Sequence, residues 1–225
     1  MTTVGSGSRR AFTLIELLVV IGVIAILAVL IGPPPSHNMG KARMIYCMNN
    51  IRQVGIGLHL WSMDHTDDFP FQVSVTNGGS MDLIASSGPA AQFQTLTNYL
   101  TNLANVLICP TERKRRATTN SILTDRNVSY FLNIDSDPNQ TNAVTQILSG
   151  DRHLALEGKP IAPGLFTLAT NSNTSFSWTE ELHSKGRQPG GILLFLDGHS
   201  EFSGAARLAK IVQRQPLATN RLLIP

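Results

Sequence analysis

The sequence predicts an α+β protein in which a long N-terminal helix leads into a head built on an antiparallel β-sheet. Three observations carry this reading. Residues 12–32 are apolar apart from Thr13, Glu16 and small glycines. Residues 36–63 repeat apolar side chains at helical spacing, and the last third holds short β-branched and aromatic runs ending in a hairpin signal at Asp197-Gly198. The organisation that follows is a short N-terminal segment at 1–11, the position of the leader implied by a resemblance given below, a membrane-spanning helix at 12–32, an amphipathic helix at 33–65 continuing into the head, and a globular α+β head at 66–225.

Composition bounds the partners. The chain carries 18 Lys and Arg against 15 Asp and Glu, a formal charge of +3. Arg9 and Arg10 precede the apolar run, and no acid lies before Ala11. Beyond Ala11 the charges nearly cancel, so net charge gives no argument for nucleic acid. Two cysteines are too few for a disulfide scaffold or a four-thiolate zinc site, and leave one bridge as an option.

A helix over residues 12–32 is about 31 Å long, the thickness of a bilayer's hydrocarbon core. The arginines favour a cytoplasmic N-terminus, which puts everything after Gly32 outside. A secretory signal peptide has a shorter apolar region and a small-residue cleavage site, and Gly32-Pro33-Pro34-Pro35 does not supply one. A plain anchor leaves Glu16 unexplained, since an acid at mid-bilayer costs about 2.5–3.5 kcal/mol, less near the interface.

The run Arg9-Arg10-Ala11-Phe12-Thr13-Leu14-Ile15-Glu16 resembles the leader junction of type IV pilins and type II secretion pseudopilins. The resemblance implies a pilin-like fold and cleavage by prepilin peptidase between Ala11 and Phe12, with methylation of the new Phe12 amine. Glu16, one helical turn after Phe12, would pair with the N-terminal amine of a neighbouring subunit, giving the acid a cation. Ala11 stands where the family usually has glycine. The implied partners are other pilin or pseudopilin subunits, prepilin peptidase, an inner-membrane assembly platform and membrane lipid. The implied location is a single-pass inner-membrane protein with a periplasmic C-terminal domain, later part of a filament.

Pro33, Pro34 and Pro35 end or sharply bend the first helix, because each removes a donor and disfavours a helical predecessor. Ser36 is a candidate cap for the next helix, which runs to about Met63. Cys47, Ile51, Val54, Leu58 and Trp61 fall on one face of it, the face that packs on a sheet. "WSMDHTDDFPF" (61–71) is a loop whose acids are either solvated or a calcium site without EF-hand spacing. Residues 72–105 read as loop, with a short helix near 93–103.

"NVLICP" (105–110) reads as a strand stopped by proline. "ERKRR" (112–116) is a basic cluster, a solvated loop or, in the alternative reading, the contact of a minor pilin that binds DNA or another ligand at the filament tip. "VSYFLNID" (128–135) and "AVTQILSGDR" (143–152) read as strands. "GGILLFLDGHSEF" (190–202) reads as a hairpin with a type I′ turn at Asp197-Gly198.

With His183 upstream, that ending resembles the His-spacer-Asp-Gly terminus of a large pilin-like group from Planctomycetes, Verrucomicrobia and relatives, with a longer spacer here. "CMNNIRQVGIGLHLWSMD" and Cys109-Pro110 fit the same group. A hydrogen bond from His183 to Asp197 would pin the loop before the hairpin.

The histidines invite a metal or catalytic reading, but no HExxH, CxxC or GxSxG motif and no phosphate-cradling loop is present. The expectation is a structural subunit with no enzymatic activity, no cofactor and no metal. Cys47 begins the helix stripe and Cys109 ends the strand-like run, so the two either form a bridge on the oxidising side of the membrane or stay as buried thiols.

Overall fold

The computed structural model describes residues 12–31, 37–112, 115, 117–118, 122–139, 143–170, 174–179, 183–185 and 188–225. Residues 1–11, the expected leader with Ala11, and Pro33–Pro35, the expected bend, lie outside the described residues. The chain divides into two units, residues 1–39 and 40–225.

The first unit holds helix α1 (Leu14–Ile31), none of whose residues is buried. By length and composition it can cross a membrane.

Helix α2 (His37–Met63) passes into the second unit. Its predicted stripe of Cys47, Ile51, Val54, Leu58 and Trp61 is buried to 2% exposure or less. The helix stops because Thr66 and Asp67 take left-handed backbone, with φ of 58° and 63°. His65 closes that end, its Nδ1 2.8 Å from the Trp61 carbonyl and its ring stacked on Trp61.

Residues 70–106 hold three short 3₁₀ turns, helix α3 (Pro89–Gln94), a further 3₁₀ turn and helix α4 (Leu103–Val106). The run "NVLICP" is therefore not a strand: α4 takes Asn105 and Val106, and Cys109 follows in irregular backbone. Its polar groups are satisfied locally, the Cys109 N–H donating to Ser129 Oγ and the Ser129 N–H to the Leu107 carbonyl. A short apolar run of this kind has no period that separates helix from strand.

Among the described residues ten strands follow: β1 (Tyr130–Asn133), β2 (Ile147–Asp151), β3 (Leu154–Leu156), β4 (Lys159–Pro160), β5 (Gly164–Ala169), β6 (Phe176–Trp178), β7 (His183–Lys185), β8 (Gln188–Phe195), β9 (Ser200–Gly204) and β10 (Thr219–Ile224). Helix α5 (Ala205–Gln213) lies between the last two. A seven-stranded sheet runs β5-β10-β1-β2-β8-β7, with β9 also on β8, and a smaller one runs β4-β3-β6. Every pairing is antiparallel. The α+β fold with an N-terminal apolar helix is thus the one the sequence predicts.

The central strands of the main sheet are buried on both faces. Tyr130, Leu132, Ile192, Leu194 and Leu223 join the α2 stripe, Phe69 and Phe93 in one core. Their chain neighbours Phe131, Leu193, Phe195, Leu222 and Ile224 join Phe176, Trp178, Leu208 and Val212 in a second core under α5 and the small sheet. Successive side chains point to opposite faces, so two covers explain why "ILLFL" is apolar at every position. The second core requires close approach at Gly191, where a Cβ would lie 2.5 Å from the Trp178 ring.

The β8–β9 hairpin has a three-residue loop in place of the predicted two-residue type I′ turn. The Gly198 N–H donates to the Phe195 carbonyl and Phe195 N–H to the His199 carbonyl. Only Gly198 is left-handed, at φ 85°. Type I′ needs two such residues, and Asp197 stays out of that region.

Candidate functional site

At the N-terminal end, Thr13 and Glu16 form a reciprocal cap. The Thr13 backbone N–H and its hydroxyl donate to Glu16 Oε2 at 2.8 and 2.7 Å, and the Glu16 N–H reaches back to Thr13 Oγ1 at 3.4 Å. This is a capping box, which satisfies donors that the first helical turn leaves without intrahelical partners. The spacing Thr-x-x-Glu signals it in sequence, yet Thr13 enters the sequence reading only as an interruption. Phe12, directly before the cap, is exposed.

The family described as prokaryotic N-terminal methylation motif matches residues 7–32, the span that contains Ala11, Phe12 and this cap. The matched segment supports a type IV pilin-like family. The motif supports a precursor processed by prepilin peptidase, and with the apolar α1 it fits a membrane-anchored pilin. No curated protein and no solved structure matches the chain.

In the second unit, Cys47 of α2 and Cys109 are joined by a disulfide with α-carbons 5.1 Å apart. The bridge is fully buried and closes a separation of 62 residues, a constraint worth about 4 kcal/mol in the chain-entropy model.

His183 packs against this bridge. Its Nε2 is 3.4 Å from Cys109 Sγ and 3.5 Å from Asp151 Oδ2. The acid beside His183 is therefore Asp151, and the expected hydrogen bond to Asp197 is not formed. Asp197 instead pairs with His199 Nδ1 at 2.5 Å, inside the hairpin loop. Strand pairing sets the difference: β7 opposes the start of β8, His183 facing Gly190, whereas Asp197 lies beyond the end of β8.

Burial governs this pocket's protonation. Desolvation pushes Asp151 up to about 7, opposed by the Ile192 N–H it accepts at 2.7 Å and reinforced by the charge of Glu112. Desolvation, with a smaller contribution from His153, lowers His183 to about 4. At neutral pH the imidazole is neutral and the contact is not an ion pair. Tyr130, fully buried beside them, is raised well above its usual value, chiefly by desolvation.

The described part of the basic cluster turns inward. Buried Glu112 Oε1 accepts from Arg115 Nε at 3.1 Å and from Arg152 Nε at 2.8 Å. Arg115 also donates to the backbone carbonyls of Asp125 and Pro225. Arg113, Lys114 and Arg116 lie outside the described residues. In the 61–71 loop, Asp64 accepts from the Tyr99 hydroxyl at 2.9 Å.

Among the described residues, one set of three metal-capable side chains converges: Cys47, Cys109 and His183. The bridge occupies both sulfurs in this state. The sequence reading missed His183 and Asp151 as neighbours of the cysteines, since only the sheet register brings residues 109, 151 and 183 together.

Proposed function

We propose that this chain is a structural subunit, a pseudopilin or minor pilin, that is inserted in the inner membrane with its head in the periplasm. Prepilin peptidase cuts between Ala11 and Phe12, and the mature chain assembles by packing of α1 into a type II secretion pseudopilus or a type IV pilus. The head carries no enzymatic activity in this reading. The observation that supports it best is the matched methylation motif opening an apolar helix at the Thr13–Glu16 cap. A buried disulfide suits an oxidising compartment, in keeping with a periplasmic head.

N-terminal mass spectrometry of membrane-extracted protein tests it. The expected terminus is Phe12 with a methylated amine. An intact Met1 or Thr2 terminus in cells with an active peptidase would overturn the reading.

A further inference from the structure

The pocket around the bridge holds more chemistry than a disulfide needs. Cys47, Cys109, His183 and Asp151 are each at most 4% exposed. The ligand-capable atoms of Cys47, Cys109 and His183 lie within 4.8 Å of one another. Asp151 stands beside His183, and its Oδ1 is buried without a hydrogen-bond partner. An unpaired buried carboxylate oxygen is costly and calls for an explanation. Thr111 Oγ1, 2.8 Å from Cys109 Sγ and 4.0 Å from Cys47 Sγ, offers a hydroxyl to either sulfur.

We propose that in the dithiol form Cys47, Cys109 and His183 bind a zinc-type divalent cation, with Asp151 as fourth ligand, so that bridge and metal are alternative closures of one core. Distances favour it for Cys47, Cys109 and His183, and Asp151 joins them by side-chain rotation from beside His183. Metal bonds of about 2.3 Å to sulfur and about 2.0–2.1 Å to nitrogen and oxygen at tetrahedral angles put neighbouring ligand atoms about 3.3–3.6 Å apart. Nε2 of His183 already stands 3.4 Å from sulfur and 3.5 Å from the carboxylate. The two sulfurs must part to about 3.8 Å for the same geometry, a span that side-chain rotation provides from α-carbons 5.1 Å apart. Two thiolates with an imidazole select zinc over the oxygen-seeking magnesium and calcium.

The exchange balances. A dithiol reductant supplies two electrons and two protons to the bridge and becomes a disulfide itself. The cation then displaces both thiol protons to solvent and stays divalent.

The test uses the full chain in detergent micelles, reduced with a dithiol that is removed by anaerobic gel filtration, and titrated with Co²⁺ and then Zn²⁺. The expected result is one Co²⁺ per chain with thiolate charge-transfer and tetrahedral ligand-field bands, lost on adding Zn²⁺ and absent from the bridged chain. His183→Ala and Asp151→Asn each weaken the reduced chain's affinity by at least about 10-fold, since losing a ligand costs no less than losing the outer-shell support of one.

Reduction alone can loosen the head, so near-ultraviolet circular dichroism is followed in parallel. Zn²⁺ restores the native signal in the reduced wild type and shields both thiols from alkylation. Two results would overturn the proposal: no thiolate bands and no restoration in the reduced wild type, or binding to His183→Ala as tight as to wild type.

Discussion

Helix α1 buries none of its 18 residues, whereas α2 seals Cys47, Ile51, Val54, Leu58 and Trp61 to 2% exposure or less. The difference is one of pattern more than of apolar content. In α2 the apolar residues form a stripe, and the sheet supplied by residues 130–224 covers it. In α1 they surround the helix, so no single face of a domain could cover them. Each large apolar side chain gains about 1.5–3 kcal/mol on leaving water. In the proposed function the cover for α1 is lipid first and then, in the filament, the helices of other subunits.

That contrast separates variants into those that break assembly and those that break the head. Glu16→Ala should have the largest effect, loss of filaments in cells with the head's unfolding midpoint unchanged, and Glu16→Asp should restore only part of the yield. Electron microscopy of cell-surface or sheared material, beside denaturant unfolding, reads both sides. Normal filaments from Glu16→Ala would leave the acid with its cap alone.

Trp61→Ala should do the reverse, costing the head about 3–5 kcal/mol by urea unfolding, because Trp61 is 2% exposed in the first core. A change below about 0.5 kcal/mol would mean that α2 is no better covered than α1. The Cys47→Ser/Cys109→Ser pair should cost about 2–4 kcal/mol, less than the single tryptophan if the reduced chain keeps its pocket packed.

Next in size is a pH effect hidden by cancellation in the bridged chain. Asp151 is raised to about 7 in the folded state, so between its unfolded value near 4 and pH 7 the native state holds the extra proton and stability falls as pH rises. His183 is lowered to about 4, so from there to about 6.5 the unfolded state holds the extra proton and stability rises with pH. Wild type should be nearly flat over pH 4–6.5. Asp151→Asn should expose the rise and His183→Gln the fall, each on the order of 1–3 kcal/mol in thermal-shift or urea experiments. Parallel pH profiles in all three proteins would show that the two groups do not titrate oppositely.

The smallest effect is expected of Thr13→Ala, about 1 kcal/mol of local helix stability at the start of α1. Amide exchange of the first turn in micelles would detect it, with no change in the head.

The parts legible in the sequence were those set by local spacing. The α2 stripe recurs at three and four residues, and the Arg-Arg-Ala-Phe-Thr-Leu-Ile-Glu junction is contiguous. What was not legible depended on partners distant in the chain. Strand β10 occupies an interior position between β1 and β5, yet "TNRLLI" is a short mixed run with no turn signal that announces a sheet centre. The His183–Asp151 contact needs β7 placed on β8 and β8 on β2, information that neither residue's neighbours carry. The His183–Asp197 expectation failed because a motif's order along the chain was taken for proximity in space.

The cap at Thr13 has one more consequence, concerning the lone pairs of Glu16. Both Thr13 donors converge on a single oxygen, Oε2, while an ionised carboxylate offers about four acceptor positions over its two oxygens. An ammonium group arriving at Oε1 would therefore add to the cap without displacing it. The same side chain can hold the first turn of α1 wound while it waits in lipid and keep that turn wound after a neighbour docks, so the helix need not unravel at the moment of contact.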